Sequence, residues 1–336
     1  MHRYAKFLAA CTVLLILAGS LVTSHGAGLS VPDWPTSYGW NMFTFPPSMW
    51  VANIFYEHGH RLIASSVGFL TIIMAAWLWV AESRRWLKWL GVAALGAVIA
   101  QGLLGGLTVL YLLPPAVSTA HAGLAEIFFC TTVAIALFTS PGWNAGSVPV
   151  DDQRLRRLAT ATTAAIYLQI LVGATMRHTG AGLAIPDFPL MFGRLWPDHW
   201  DAAIAIHFAH RVGALAVTAI AAVTSIHIWR HHTDRTELAH PAMLILILIV
   251  IQITLGGLTV LSRRQPWINS FHVVVGALVL TTSLVITLRS WKLRIVPGGR
   301  LGTESVRMAD LRDADLLRNA DLRLRTPHSA MRRSGS

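Results

Sequence analysis

The 336-residue chain reads as an all-α integral membrane protein, with eight transmembrane helices forming two parallel-repeat four-helix bundles. Three observations predict this. Hydrophobic residues make up 54% of the chain against 13% charged, eight apolar runs are long enough to cross a bilayer, and the second half repeats motifs of the first. A soluble domain carries about a quarter charged residues. A bilayer enforces the shortfall, because a charge at its midplane costs roughly 2.5–3.5 kcal/mol even on lenient insertion scales. The mean hydropathy of +0.54 agrees. The net charge of +11 sits in short clusters between the runs, which is a topology signal and not a nucleic-acid footprint.

Runs able to span about 30 Å of hydrocarbon fall at 7–24, 58–81, 88–110, 117–139, 158–176, 205–229, 241–261 and 269–290. The first follows Arg3 and Lys6 as a signal peptide would. No small-residue cleavage site follows it, and the segment behind it recurs later in the chain, so it counts as the first span. Cys11 and Cys130 lie inside runs and act as small hydrophobes.

Lys and Arg then set the orientation. One side collects Arg3 and Lys6, Arg84, Arg85 and Lys88, Arg154, Arg156 and Arg157, Arg230 and Arg235, and Arg289, Lys292 and Arg294. The other has none in 25–56 or 111–116, Arg194 with the boundary residue Arg177, and the dissenting pair Arg263–Arg264. The positive-inside rule places both termini in the cytoplasm. The long connections 25–56 and 177–204, rich in Trp, Phe and Pro, face outward. Without an Arg- and Ser-rich leader, a multi-pass protein of the bacterial cell inner (plasma) membrane is expected.

The repeat is the strongest signal. Gly26-Ala-Gly-Leu-Ser-Val-Pro-Asp-Trp-Pro35 matches Gly180-Ala-Gly-Leu-Ala-Ile-Pro-Asp-Phe-Pro189, and Glu57-His-Gly-His-Arg61 matches His207-Phe-Ala-His-Arg211. Leu104-Gly-Gly-Leu-Thr-Val-Leu110 matches Leu255-Gly-Gly-Leu-Thr-Val-Leu261. Each copy holds an even number of spans, so the copies run the same way through the membrane, unlike inverted repeats. The predicted domains are a bundle over 1–150, a second bundle over 151–296, and a polar basic tail over 297–336 expected to be disordered.

Four histidines pair across the repeat: His60 with His210, and His121 with His272. Each half thus offers two imidazoles from different spans at matched depth near the outward side. One histidine on an apolar face is ordinarily a satisfied core residue, but two symmetric pairs need compensation in lipid. Haem iron ligated by two imidazoles in a four-helix core supplies it. Mg²⁺ and Ca²⁺ want oxygen ligands, and zinc or copper would lack further donors.

Arg61 and Arg211 follow the ligands, and their forked guanidinium suits haem propionates, with snorkelling to headgroups the alternative. Glu57 breaks the symmetry, because its counterpart is His207. A carboxyl group beside one haem site alone suggests proton-coupled chemistry in the first half and a held cofactor in the second. Solvation at a helix start is the other reading. His58 and His25 are read as boundary residues, Asp33 and Asp187 as loop architecture, and Gln101 and Gln252 as hydrogen-bonding within the bundles. The glycine pairs Gly105-Gly106 and Gly256-Gly257 are read as close helix-packing points. Glu126, buried near His121, is likewise read as architecture and not as an acid catalyst, with a hydrogen-bonding role left open.

Together these motifs resemble the haem A synthase family, over roughly residues 7–292. The resemblance implies haem b in the C-terminal half on His210 and His272, and the substrate haem O in the N-terminal half on His60 and His121. It implies oxidation of a ring methyl to a formyl group through successive hydroxylations and loss of water from a gem-diol, with Glu57 as the catalytic carboxylate. The expected associates are the lipid bilayer, a haem O synthase, cytochrome oxidase assembly factors and an electron donor. Some bacterial members carry a cysteine pair in an outward loop, whereas residues 25–56 and 177–204 contain none. Electrons would therefore enter by a route that needs no loop thiol. Two other classes fit the residues less well: a di-haem cytochrome b that only moves electrons, and a transporter, which leaves Glu57 without a role.

Overall fold

The computed structural model describes residues 1–144 and 150–292, of which Met1–Trp291 form one compact unit. The expected tail, 297–336, lies outside the described residues. The long helices are α1 (His2–Ser24), α2 (Asn53–Ala81), α3 (Arg85–Leu110), α4 (Pro115–Phe138), α6 (Gln153–His178), α7 (Ala202–His231), α8 (Thr236–Leu261) and α9 (Pro266–Ser290), with a short α5 (Pro141–Asn144) after α4. All eight long helices are apolar and long enough to cross a membrane. No strand occurs among the described residues, where β-type pairing is confined to two isolated bridges, Ser37 with Trp40 and Met191 with Arg194.

All eight long helices begin before the apolar run does. Their first turns are polar or carry a start signal that hydropathy does not see. Pro115 and Pro266 occupy first helical positions, where a missing N–H costs nothing. Asp152 and Asp201 cap α6 and α7 by accepting from the Leu155 and Ile204 N–H groups at 2.8 and 2.7 Å, a standard cap.

Neighbouring helices pack in sequence. α1 meets α2, α2 meets α3, α3 meets α4, and α4 returns to α1. In the second half α6 meets α7, α7 meets α8, α8 meets α9, and α9 returns to α6. α1, α4, α6 and α9 also pack across the halves. An apolar seam of Ile16, Phe129, Val274 and Ala277 fills that junction. At the end of the seam nearer the long loops, Arg177 donates to the Ser20 carbonyl at 2.8 Å and to Ser24 Oγ at 2.8 Å. Asn269 also donates to Ser24, at 3.3 Å. Interhelical hydrogen bonds in membranes average about 0.6 kcal/mol each, so these set register more than they bind the halves. Phe69, Val80, Leu215 and Val250 are all more than 60% exposed, as a surface solvated by acyl chains requires.

Candidate functional site

All four paired histidines lie within the first two to three turns of their helices: His60 on α2, His121 on α4, His210 on α7 and His272 on α9. α2 and α7 begin where the long loops 25–52 and 179–201 end, and α4 and α9 begin after the short connections 111–114 and 262–265. Each half thus presents two imidazoles at one end of its helices.

Beneath each imidazole sits a glycine of the neighbouring helix. A methyl group added at Gly19 would lie 2.9 Å from His60 Cε1, at Gly105 3.3 Å from His121, at Gly173 2.8 Å from His210, and at Gly256 3.1 Å from His272. Each of these glycines is the fifth residue before the end of its helix. Only a residue without a Cβ lets the ring lie flat against the adjacent backbone at Gly19 and Gly173, where separations under 3 Å force a shift. The role expected for Gly105 and Gly256, close helix packing, is thus specifically the seating of a histidine. Gly19 and Gly173 went unnoticed in the sequence, although the register pairing Gly26 with Gly180 also pairs them.

The second glycine of each pair serves the loop. A Cβ at Gly106 would strike the Trp34 ring at 2.5 Å, and one at Gly257 the Phe188 ring at 2.7 Å. Trp34 and Phe188 occupy the same position of the repeated Pro-Asp-aromatic-Pro turn, each with a cis peptide bond to the following proline. Asp33 accepts from the Tyr38 and Gly39 N–H groups at 2.7 and 2.8 Å. Asp187 accepts from Phe192 and Gly193 at 2.8 and 2.7 Å. These acceptors hold residues of positive φ, Tyr38 at 52° and Phe192 at 56°, and both aspartates are loop architecture.

The arginines grip the same loops. Arg61 donates to the Asp33, Thr36 and Val31 carbonyls at 2.7, 2.9 and 2.8 Å, and to Glu57 Oε1 at 2.7 Å. Arg211 donates to the Leu190, Ile185 and Asp187 carbonyls at 2.9, 3.2 and 2.7 Å, and lies 5.8 Å over the Phe188 ring. Any haem propionate would share guanidinium groups already engaged with backbone carbonyls.

Glu57 is 3% exposed. Its Oε2 accepts the Val31 N–H at 2.8 Å while Oε1 takes Arg61. In the second half His207 Nδ1 accepts the Ile185 N–H at 3.2 Å. The two residues fill one slot, and the first half places a carboxyl where the second places an imidazole. Burial excludes the solvated helix start considered for Glu57.

His58 corrects another expectation. Instead of a boundary residue it is fully buried, its Nδ1 3.1 Å from Ser37 Oγ and its ring against Phe45 and Trp50. His25 does sit at a helix end, stacked on Tyr56 at 3.9 Å. Glu126 is buried on α4, and its Oε2 has no hydrogen-bond partner.

The histidines differ in how they are held. His210 and His272 have ring centroids 6.5 Å apart at an interplanar angle of 71°. His272 Nδ1 donates to the Gln252 carbonyl at 3.1 Å, the tautomer that leaves Nε2 with its lone pair, and the Gln252 side-chain amide nitrogen lies 3.4 Å from that Nε2. Gln169 Nε2 lies 3.0 Å from His210 Nδ1 and donates to its carbonyl at 2.7 Å. In the first half, His60 and His121 occupy the corresponding positions on α2 and α4. Gln101 donates only to the His121 carbonyl, at 2.9 Å. The Nδ1 atoms of both rings are buried without a partner.

This donor set fits a haem. Two metal–nitrogen bonds of about 2 Å, with the ring radii, separate imidazole centroids by on the order of 6–7 Å across one metal ion, which is the spacing of His210 and His272. In the other pair no hydrogen bond at Nδ1 fixes the rings, so His60 and His121 are less firmly held.

A family comparison decides the classification, since the model for cytochrome oxidase assembly proteins of the COX15-CtaA type matches residues 2–284. The chain belongs to that family. Three curated relatives named heme A synthase cover most of it. The one from Halalkalibacterium halodurans is 28% identical over 86% of this chain and 97% of its own length. That from Geobacillus kaustophilus is 27% identical over 81% and 87%, and that from Shouchella clausii 29% over 84% and 95%. The alignments span both copies of the repeat and so both histidine pairs of this COX15-CtaA member.

Proposed function

We propose that this protein is a haem A synthase, an oxidoreductase that takes haem O to haem A by oxidising a ring methyl to a formyl group for cytochrome oxidase assembly. The observation that carries the reading is the set of four glycine-seated imidazoles, two per half, in a member of this family. Two four-helix repeats, over 1–150 and 151–296, divide the labour. His60 and His121 bind haem O. His210 and His272, their rings fixed by Gln169 and Gln252, hold haem b. Bound there, haem b would supply an iron that carries electrons, with ligation and surroundings set by the protein.

Glu57 is the proton-handling group. Oxidising a methyl carbon releases protons, and a buried carboxylate beside the substrate half, already paired with Arg61, can accept one without exposing the site to water. His207 cannot substitute, because it belongs to the half that only holds cofactor. Arg61 and Arg211 fix the loops that cover the two sites, with a propionate sharing those donors. Basic clusters on the terminal side support cytoplasmic termini and haem sites toward the extracytoplasmic face of a bacterial inner membrane. A haem O synthase as supplier and oxidase assembly factors as acceptors follow from the chemistry of substrate and product. Both histidine pairs lie at one end of the helices, which argues against a cytochrome b passing electrons across the bilayer.

The test is expression with a haem O supply, then extraction and chromatography of the haems. Haem A is expected from the parent. Glu57→Ala and Glu57→His should each lower it by about 100-fold, the scale of general acid–base catalysis, while haem b stays bound. Glu57→His is the sharper variant, since the imidazole can still accept the Val31 N–H as His207 does for Ile185. Haem A at the parental rate in Glu57→His would remove the carboxyl from the mechanism.

A further inference from the structure

At the opposite end of the helices from the haem histidines, three side chains of the second half converge. Asp152 caps the start of α6, His227 lies in the last two turns of α7, and His232 follows its final residue. Asp152 Oδ2 is 2.7 Å from His227 Nε2 and 2.9 Å from His232 Nε2. One atom from each residue faces a common point, all three within 4.8 Å of one another. Among the described residues this is the one group of three such ligands.

The carboxylate divides its labour. Oδ1 accepts the Leu155 N–H at 2.8 Å, which fixes the rotamer and leaves Oδ2 to face the imidazoles. Hydrogen-bonded orientation of a ligating carboxylate is the usual support of a metal site. His227 is 8% exposed, while Asp152 and His232 keep 18% and 15% of their side-chain surface. One side of the group is therefore packed and one is open to water. His231 stacks on His227 at 4.5 Å and donates from Nδ1 to its carbonyl at 3.0 Å, which steadies the ring.

No shared need of the repeat accounts for these residues. In the register that pairs Glu57 with His207, His227 falls on Trp77 and His232 on Glu82. The group is thus an addition to the second half alone.

We propose that Asp152, His227 and His232 form a site for one divalent d-block cation of the Zn²⁺ class, with water completing the coordination, which staples the start of α6 to the end of α7. Two imidazoles and one carboxylate suit zinc and its neighbours, not Mg²⁺ or Ca²⁺, which prefer all-oxygen shells. Ligand bonds of about 2.0–2.2 Å require the three atoms to spread by roughly half an ångström. His232, beyond the last helical residue, has that freedom. The open side provides the entry path.

The experiment uses the full-length haem-loaded protein, purified in detergent through a tag without histidine. Zn²⁺ is titrated against a chromophoric chelator, and Co²⁺ is followed by its visible d–d absorption. One ion per chain is expected. His227→Gln and Asp152→Asn should weaken binding by about 100-fold or more, beyond the 10–100-fold typical of losing an outer-shell partner. Asp152→Asn keeps an oxygen for the α6 cap, and an unchanged haem b spectrum in both variants reports an intact fold. His199→Gln, at the exposed Asp198–His199 pair, should bind as the parent does. Failure of the parent to take up one ion, or equal affinity in the parent and His227→Gln, overturns the site and leaves a hydrogen-bonded cluster.

Discussion

The two halves present the same frame and hold their histidines differently. In both, an imidazole lies on a glycine, an arginine clamps a loop by three carbonyls, and a loop aromatic sits on the second glycine of a pair. In the second half the rings have hydrogen-bond partners that fix orientation. In the first half the ring Nδ1 atoms are orphaned, and the slot filled by His207 carries Glu57 instead. A resident cofactor benefits from ligands held in advance. A substrate that must arrive and leave is better served by ligands less firmly fixed, with a carboxyl beside them. On the function proposed, one repeated frame would need only these few changes to separate holding from reacting.

The largest effect should come from the ligands themselves. His210→Ala or His272→Ala is expected to abolish the b-type absorption of the purified protein, because one remaining imidazole cannot complete the pair. His60→Ala or His121→Ala should leave that absorption in place and abolish haem A production. Absorption and extracted haems read the two outcomes separately. A b-type spectrum that survives His272→Ala and vanishes in His60→Ala would reverse the assignment of the halves.

The glycine seats give a graded test of the same comparison. Overpacking typically costs about 1–3 kcal/mol, and the contacts predict the order. Gly173→Ala, whose Cβ would meet His210 at 2.8 Å, should perturb haem b more than Gly256→Ala at 3.1 Å. In the first half, Gly19→Ala at 2.9 Å should lower haem A formation more than Gly105→Ala at 3.3 Å, with haem b untouched. Alanine is otherwise the better helix former by about 1 kcal/mol, so lost binding cannot be blamed on a weakened helix. Spectral titration of haem b and haem A yield across the four variants would expose any failure of this order.

How much of this could be read from residues alone depends on where the signal lives. The spans were legible because a bilayer filters composition over twenty residues at a time. Their first turns were not, since Pro115, Asp152 and Asp201 act through local backbone geometry. The paired histidines were legible because an imidazole in lipid demands a reason. Gly19 and Gly173 were not, as a glycine in an apolar run announces nothing until the residue that lies on it is known. Apart from Glu57, four residues before Arg61, the hydrogen-bond partners of Arg61 and Arg211 are backbone carbonyls, which no side-chain pattern encodes. His58 reads as a boundary residue, because its burial is decided by Phe45 and Trp50 from a distant loop. Asp152 is 75 residues from His227 in sequence and the group is absent from the repeat, so only the packing of α6 on α7 brings it to His227 and His232.

The smallest predicted effect concerns the loops, and it tests whether the two clamps are equivalent. Burial alone would raise the pKa of Asp33 and Asp187. The surrounding donors outweigh it, Gly39, Thr36 and Tyr38 around Asp33 and Gly193 and Phe192 around Asp187, and hold both carboxyls below their ordinary range. A folded-state value below the unfolded one of about 3.9 adds stability that is complete above that pH. It is lost only as pH falls through the lower folded value. Both loops should therefore stay pinned at neutral and mildly acidic pH. Asp33→Ala removes the acceptor at neutral pH and should speed amide exchange several-fold over residues 33–40, as expected from about 0.5–1.5 kcal/mol per hydrogen bond. Residues 187–194 should not change, and Asp187→Ala should do the converse. Hydrogen–deuterium exchange read by mass spectrometry separates the two. Because Arg61 grips the first loop by three carbonyls as Arg211 grips the second, the rises should be similar. A much larger rise in the first loop would mean that its clamp is the weaker, as the half proposed to admit substrate would need.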